Sequence, residues 1–343
     1  MGVDIKDILI RHETSFQEFR GRVAIDAYNA LYQFLTSIRQ PDGTPLLDAK
    51  GRVTSHLIGL FYRTCGMIEK GVKPIYVFDG EPHHLKKKTI DERKRLKAEA
   101  HAQMLKAVEE GRLEDAARLV QRTTHLTAEN VGEAKQLLSF LGVPWVQAPS
   151  DGESQCAAMC REGQVIATAS QDFDSLLFGS PVLARNMAIA GRRKLPRKSA
   201  YVEVSPERID LKENLDALGI TLEKLVWIGV LCGTDFNEGV HGIGPKKGLK
   251  LVQKHDSLEA IAKEAGSGTA SGTDFEEVAN VFLKPNVKKV GGSELAAREP
   301  DREGLEEFMV KEHGVSSERV ANALARTFKE PLDSEQSKLG KWA

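Results

Sequence analysis

"QVIATASQDFDSLLFG", residues 164–179, sets a β-rich run ending at Thr168 and Ala169 against two aspartates, Asp172 and Asp174, before Leu176, Leu177 and Phe178 resume the hydrophobic pattern. A short apolar run bounded in this way is what a strand buried on both faces of a parallel sheet looks like. The run recurs as "RVAID" (22–26), "KPIYVFD" (73–79), "VPWVQA" (143–148) and "SPVLA" (180–184), separated by stretches long enough for helices. That alternation predicts an α/β fold, with a mostly parallel central sheet flanked by helices. In such sheets ligands sit outside the carboxyl ends of the strands. Asp26, Asp79 and the pair Asp172 and Asp174 follow three of the runs, so the sheet brings them to one edge. Carboxylates gathered there repel one another unless a cation, a basic partner or a proton offsets them.

Further acids fit the same place. In "QAPSDGESQCAAMC" (147–160), Asp151 and Glu153 sit in a turn that opens a helix, where an acid serves either as a helix cap or as part of a site. Asp235, in "LCGTDFNEGVHGIGPKKGLKLV" (231–252), can cap, pair with Lys246 or join the others. Asp26, Asp79, Asp151, Glu153, Asp172, Asp174 and Asp235 make an all-oxygen donor set, which suits Mg²⁺ or Mn²⁺ rather than zinc. Two such ions about 3.5–4 Å apart activate a water and stabilise the leaving oxygen of a phosphodiester. "GIGPKKG" (242–248) reads either as a plain turn between helices or as an anion site. In the second reading Gly242 and Gly244 expose backbone N–H groups at a helix N-terminus, and Lys246, Lys247 and Lys250 add charge for a phosphate track.

Composition narrows the class. A chain of 343 residues, 41% hydrophobic and 28% charged, can bury the core of one large or two ordinary domains. No apolar stretch approaches the roughly 20 residues of a membrane span, and "MGVDIKDILI" lacks a signal peptide's pattern, so an intracellular, cytoplasmic protein is expected. Cys65, Cys156, Cys160 and Cys232 show no CxxC spacing and read as small core residues. The net charge of −1 hides a segregation. Residues 86–97 hold Lys86, Lys87, Lys88, Arg93, Lys94, Arg95 and Lys97, and residues 185–198 hold Arg185, Arg192, Arg193, Lys194, Arg197 and Lys198. Balancing acids collect elsewhere, as in "EPDREGLEEF" (299–308).

Five motifs, "AIDAYNALYQFL", "VFDG", "APSDGES", "SQDFDSLLFG" and "GTDFNEGVHGIGPKKGL", occur in order between Met1 and about residue 255 and resemble those of structure-specific 5′ nucleases, in particular the archaeal flap endonucleases. The resemblance implies an endonuclease with 5′–3′ exonuclease activity that removes 5′ flaps from branched DNA in replication and repair. It implies two Mg²⁺ ions, replaceable by Mn²⁺, held by the seven carboxylates already named; the family commonly has Glu where this chain has Asp151. Lys86 and Arg93 fall on the basic pair at the base of the family's helical arch, and seven residues apart they share a helix face. Tyr32 matches an aromatic that stacks a base near the scissile phosphate, though its spacing equally suits the core, and Gly2 matches an amino terminus near the active site. "TSHLIGLFYRT" (54–64), by periodicity only an amphipathic helix, resembles the region that grips downstream duplex.

The implied organisation is a nuclease region over 1–98, a helical arch or linker over 99–130, a second nuclease region with a helix-hairpin-helix element over 131–255, a helical and loop region over 256–330 and a flexible tail over 331–343. "GSGTASGT" (266–273) reads as a flexible surface loop. In the tail, Gln336, Leu339 and Trp342 are spaced as in the family's sliding-clamp-binding peptide, with Ala343 where a second aromatic is usual. A monomer is expected. Two other classes use some of these features: a haloacid-dehalogenase-type phosphatase with an aspartate nucleophile, whose DxDx(T/V) pattern "DFDSL" does not match, and a DNA-junction binder without catalysis.

Overall fold

The computed structural model of the chain describes residues 2–40, 44–112, 119, 126–188, 191–194, 201–265 and 274–328. Part of the expected arch (113–118 and 120–125), Arg197 and Lys198, the loop 266–273 and the tail with Gln336, Leu339 and Trp342 lie outside the described residues.

The strands are β1 (His12–Glu13), β2 (Gly21–Asp26), β3 (Val72–Phe78), β4 (Trp145–Gln147), β5 (Ala167–Ala169), β6 (Val182–Arg185), β7 (Gly191–Lys194), β8 (Tyr201–Val204) and β9 (Glu207–Asp210). Seven of them form one sheet in the order β1-β9-β6-β5-β2-β3-β4, while β7 and β8 make a separate hairpin. The five runs read from the sequence are β2 to β6, and all of them lie parallel. Their apolar residues alternate between two buried faces: Val23, Ile25, Tyr76 and Phe78 enter one core, and Ala24, Ile75 and Val77 another. Helices cover both faces. Helix α1 (Ala27–Ser37) and helix α2 (Ser55–Glu69) pack on the first, approaching so closely that a Cβ on Gly59 would strike the Phe34 side chain. Thus "TSHLIGLFYRT" contributes mainly core, with His56, Leu57, Leu60, Phe61 and Thr64 all buried.

Two antiparallel strands, β9 beside β6 and β1 beside β9, extend the sheet at one edge. Neither has the apolar run that marks the parallel strands: β1 is only His12–Glu13, and β9 carries Glu207, Arg208 and Asp210.

The chain order decides where a ligand can bind. From β2 the connections pass to β3 and β4 on one side, then cross to β5 and β6 on the other. The crevice outside the carboxyl ends of β2 and β5, where the winding reverses, is the position such sheets use for ligands. Over it stands α3 (Lys87–Glu109), which follows a turn of 3₁₀ helix at His84–Lys86 and runs through residue 98 without a break.

Candidate active site

At that crevice lies a cleft of about 750 Å³ lined by all seven carboxylates together with Gly2, Tyr32, Lys86 and Arg93. The acids arrive from five places in the fold: the ends of β2 and β3, the start of the helix Gly152–Arg161, the turn after β5 and the loop after Cys232. Asp26 ends β2 and caps α1, its Oδ1 accepting the Asn29 N–H at 3.0 Å. Asp79 follows β3, and its Oδ1 accepts the Gly152 N–H at 2.7 Å. It therefore caps the helix Gly152–Arg161 from another strand, and a Cβ on Gly152 would sit 2.7 Å from that oxygen. Asp151 occupies the N-cap position of this helix but makes no side-chain cap, so the capping alternative does not describe it. Its carboxylate meets the Lys86 ammonium instead. Glu153 accepts from the Ser175 hydroxyl at 3.3 Å, and Asp174 accepts the Val3 N–H at 2.7 Å. Asp235 pairs with the Arg93 guanidinium at 2.6 Å rather than with Lys246.

Crowding of these acids shows in their proton affinity. Burial, then the charge of Asp79, holds Asp26 well above the usual carboxylate range. Burial, then the charges of Asp174, Asp26 and Asp172, does the same to Glu153. Asp174, driven by burial and by Asp235 and Asp172 against the Val3 N–H bond, reaches about 7. Asp79 reaches about 6 through burial, with Lys86 and the Gly152 N–H working the other way. Lys86 answers in kind: burial opposes its charge, but Asp151, Asp79 and Asp235 outweigh that and raise its pKa. Four carboxyl groups resisting ionisation around two bases mark a place built for additional positive charge.

Among the described residues, no three His, Cys, Asp or Glu side chains close into a metal cage. An open set of carboxylates fits Mg²⁺, which keeps several waters and is bound through one or two carboxylates plus substrate phosphates. Zinc, with its closed N/S cage, is a poor fit.

The other expectations divide. Tyr32 is 41% exposed, so it belongs to the cleft wall and not to the core, with the Lys97 ammonium 5.7 Å from its ring centre. Gly2 lies directly against the acids: a Cβ there would stand 2.6 Å from Asp172 Cβ. Lys86 closes the 3₁₀ turn and Arg93 lies on α3, yet both reach the cleft. Gly242, Gly244, Lys246, Lys247 and Lys250 do not line it. They form the second half of a helix-hairpin-helix: Leu222–Cys232, a loop, and Pro245–Lys254, with Gly248 letting the second helix approach Ile228 of the first. Gly242 has φ +76°, which a side chain tolerates badly, whereas Gly244 at φ −105° has open space around it. Lys247 ties the loop by donating to the Gly242 carbonyl at 2.9 Å, and Lys246 and Lys250 are exposed. Arg185, counted above in the second basic run, is internal: it pairs with Glu207 at 2.9 Å and lies 4.4 Å from the Phe173 ring centre.

Among the cleft residues that carry no signal of their own in the sequence, two touch the charged groups directly. Asn29 joins Asp26 to Asp172, and Phe236 lies under the Lys86 ammonium, 4.8 Å from its ring centre. The only signal for either was adjacency to a strand-end or loop aspartate.

Comparison with known proteins agrees with this geometry. Residues 3–100 match the XPG N-terminal domain and residues 142–235 the XPG I-region, ranges that together contain all seven carboxylates. Flap endonuclease 1 of Aeropyrum pernix is 47% identical over 350 residues, covering 100% of this chain and 99% of that protein. Flap endonuclease 1 of Thermofilum pendens is 52% identical over 330 residues, covering 95% of this chain and 94% of that protein. Among solved structures, flap endonuclease-1 from Methanococcus jannaschii superposes with a TM-score of 0.75 at 37% identity, over 95% of this chain and 98% of that one. With the sheet, the carboxylate cleft and full-length relatives in agreement, the chain belongs to the flap endonuclease 1 family and is an XPG-type structure-specific nuclease that cleaves DNA.

Proposed function

We propose that the cleft hydrolyses the phosphodiester at the base of a 5′ flap, and trims 5′ ends exonucleolytically, with two Mg²⁺ ions held by Asp26, Asp79, Asp151, Glu153, Asp172, Asp174 and Asp235. The observation that carries this is the charge imbalance: seven carboxylates face one cleft with Lys86 and Arg93 as the paired bases among them. When bound, such ions polarise the phosphate and lower the pKa of water, and Mn²⁺ has the same donor preferences. The protein's own contribution is placement. Lys86 and Arg93, engaged with Asp151 and Asp235, are positioned to exchange those acids for the scissile phosphate as it enters and to stabilise the charge developing on it. Tyr32, exposed on the cleft wall, offers a face for the base beside that phosphate. The hairpin around Gly242 and Gly244, with Lys246, Lys247 and Lys250, holds duplex phosphates away from the chemistry. The regions follow those outlined from the sequence except at the first boundary: α3 runs unbroken across residues 98 and 99, so the limb of the arch begins at Lys87.

The proposal extends to partners and setting. The chain acts as an intracellular monomer. Among the described residues no helix is long and apolar enough to cross a membrane. Gln336, Leu339 and Trp342 dock the tail on a sliding clamp, modestly because Ala343 replaces an aromatic. Deleting residues 336–343 therefore leaves unassisted cleavage unchanged and abolishes stimulation by the clamp.

Incubation with a double-flap DNA and Mg²⁺, with and without a chelator, tests the core of the proposal. Cleavage at the flap base that the chelator abolishes is expected. Chelator-resistant cleavage, or equal cleavage of unbranched duplex, refutes it.

A further inference from the structure

We propose that Asn29 is a positioning residue that fixes the carboxylate of Asp172, and with it the geometry of the metal site, from across the sheet's reversal point; this rests on the two-metal reading of the cleft. Asn29 lies in the first turn of α1, where its N–H is already committed to Asp26 at 3.0 Å. Its side chain reaches to the other side of the crevice. There Nδ2 donates to Asp172 Oδ2 at 2.9 Å, and Oδ1 accepts the Gln171 N–H at 3.2 Å. The amide cannot be turned over, because the flip would face its oxygen to the Asp172 carboxylate and its NH₂ to the Gln171 N–H. One neutral residue therefore links the acid that ends β2, through its backbone N–H, to the turn that follows β5, through its side-chain amide. Being neutral, it orients Asp172 without competing as a counter-charge for the cation.

The same turn is gripped from the opposite side. Arg185 Nε donates to the Gln171 carbonyl at 3.1 Å, its guanidinium stacks on Phe173, and Glu207 holds the far end of the guanidinium at 2.9 Å. Gly2 presses on Asp172 from a third direction, since even a Cβ would not fit there. Residues 171–173 are thus fixed by the N–H and C=O of Gln171, the carboxylate of Asp172 and the ring of Phe173. Such a hold on a ligating carboxylate sets metal affinity, and losing it typically weakens binding about 10- to 100-fold.

The test titrates Mn²⁺ into the full-length, DNA-free protein, by electron paramagnetic resonance or calorimetry, for wild type, Asp172→Asn and Asn29→Ala. Weakening of about 10-fold or more is expected in Asn29→Ala. Flap affinity in chelator should stay unchanged, and the single-turnover rate should recover toward wild type as Mg²⁺ is raised. If Asp172→Asn binds Mn²⁺ like wild type, the metal reading itself is wrong. If Asp172→Asn loses Mn²⁺ but Asn29→Ala does not, or if flap affinity falls in step with rate, the assignment to Asn29 alone is overturned. Should Asn29→Ala not fold, Asn29→Ser keeps a polar group in its place but is too short to hold Asp172 and the Gln171 N–H together. It is expected to weaken Mn²⁺ in the same direction, and unchanged Mn²⁺ affinity in that variant overturns the proposal.

Discussion

Two clusters of partly buried ionisable groups stand out among the described residues, and they behave in opposite ways. The first is the cleft, where seven carboxylates face Lys86 and Arg93. The second joins the loop before α2, the helix Ala128–Phe140 and the segment Glu306–Glu312: Asp48, Glu133 and Glu312 meet Arg52, His56 and His313. In the second cluster acids and bases are equal in number. Burial there still opposes ionisation of Glu133 and Asp48, but His56 and Arg52 more than offset it, and both carboxyl groups are held below their usual range. In the cleft the opposite holds for Asp26, Glu153, Asp79 and Asp174. Burial is common to both, so it does not distinguish a structural cluster from a reactive one. The balance of opposite charge does.

The sharpest test of that contrast is Asp174→Asn. Removing a preorganised charge from a reacting centre lowers rate by roughly 10²–10³-fold, so flap cleavage should fall by that order while flap binding survives. Stability should move the other way. Asp174 has its folded pKa raised to about 7, so the stability tied to its protonation is present below the carboxylate range and is lost as pH rises through 7. Wild-type protein in chelator should therefore melt lower at pH 8 than at pH 5, and Asp174→Asn should reduce that slope. A variant that cleaves normally, or that melts lower than wild type at pH 8, would place Asp174 with the balanced cluster.

The next effect belongs to the two bases. If Lys86 and Arg93 act on the phosphate in the transition state, Lys86→Ala and Arg93→Ala lower the single-turnover rate by about 10²-fold with little change in flap affinity. If affinity and its salt slope fall in parallel with rate, both are ordinary phosphate contacts.

How far the sequence reveals all this depends on what kind of pattern carries it. The parallel core and six of the acids are legible because each of those acids stands where a strand ends or a helix opens, and a parallel sheet gathers those ends; Asp235, in a loop after a helix, is not placed by the sheet. Strands β1 and β9 are not legible, because β1 is too short and β9 too charged to show an alternation. Arg185 misleads for a different reason: charge counting cannot see that Glu207, 22 residues away, is its partner across the sheet. Asn29 is silent because a neutral amide in a first helical turn looks like any other.

A smaller effect separates the cleft from the hairpin. Lys246→Ala and Lys250→Ala should weaken duplex binding a few-fold, regardless of sequence, and lower the salt slope by about one per lysine. Gly242→Val should weaken it further, because a β-branched residue at φ +76° deforms the loop, while Gly244→Ala should be tolerated. Unchanged affinity in all four variants at moderate salt makes "GIGPKKG" a plain turn.

The smallest catalytic effect is expected in the balanced cluster, and it completes the comparison. Glu133→Gln keeps an acceptor for the His56 Nε2, 2.9 Å away, but removes the charge that offsets His56 and His313. The loss should be about 1–3 kcal/mol, on the order of 2–4 °C per kcal/mol in melting temperature, with the single-turnover rate unaltered at temperatures where the variant is folded. The pH dependence has the opposite sign to that of the cleft. Glu133 has its folded pKa lowered, so its contribution is present above the ordinary carboxylate range and is lost as pH falls through it. His313, whose pKa burial pushes down, likewise favours the fold when neutral and adds a loss as pH drops below about 6.5. Wild type and Glu133→Gln should therefore differ above the ordinary carboxylate range and converge below it, where the cleft carboxyls contribute most. Convergence at pH 8 instead, or a change in cleavage rate without a change in melting temperature, would mean that this cluster communicates with the cleft and that charge balance does not separate the two.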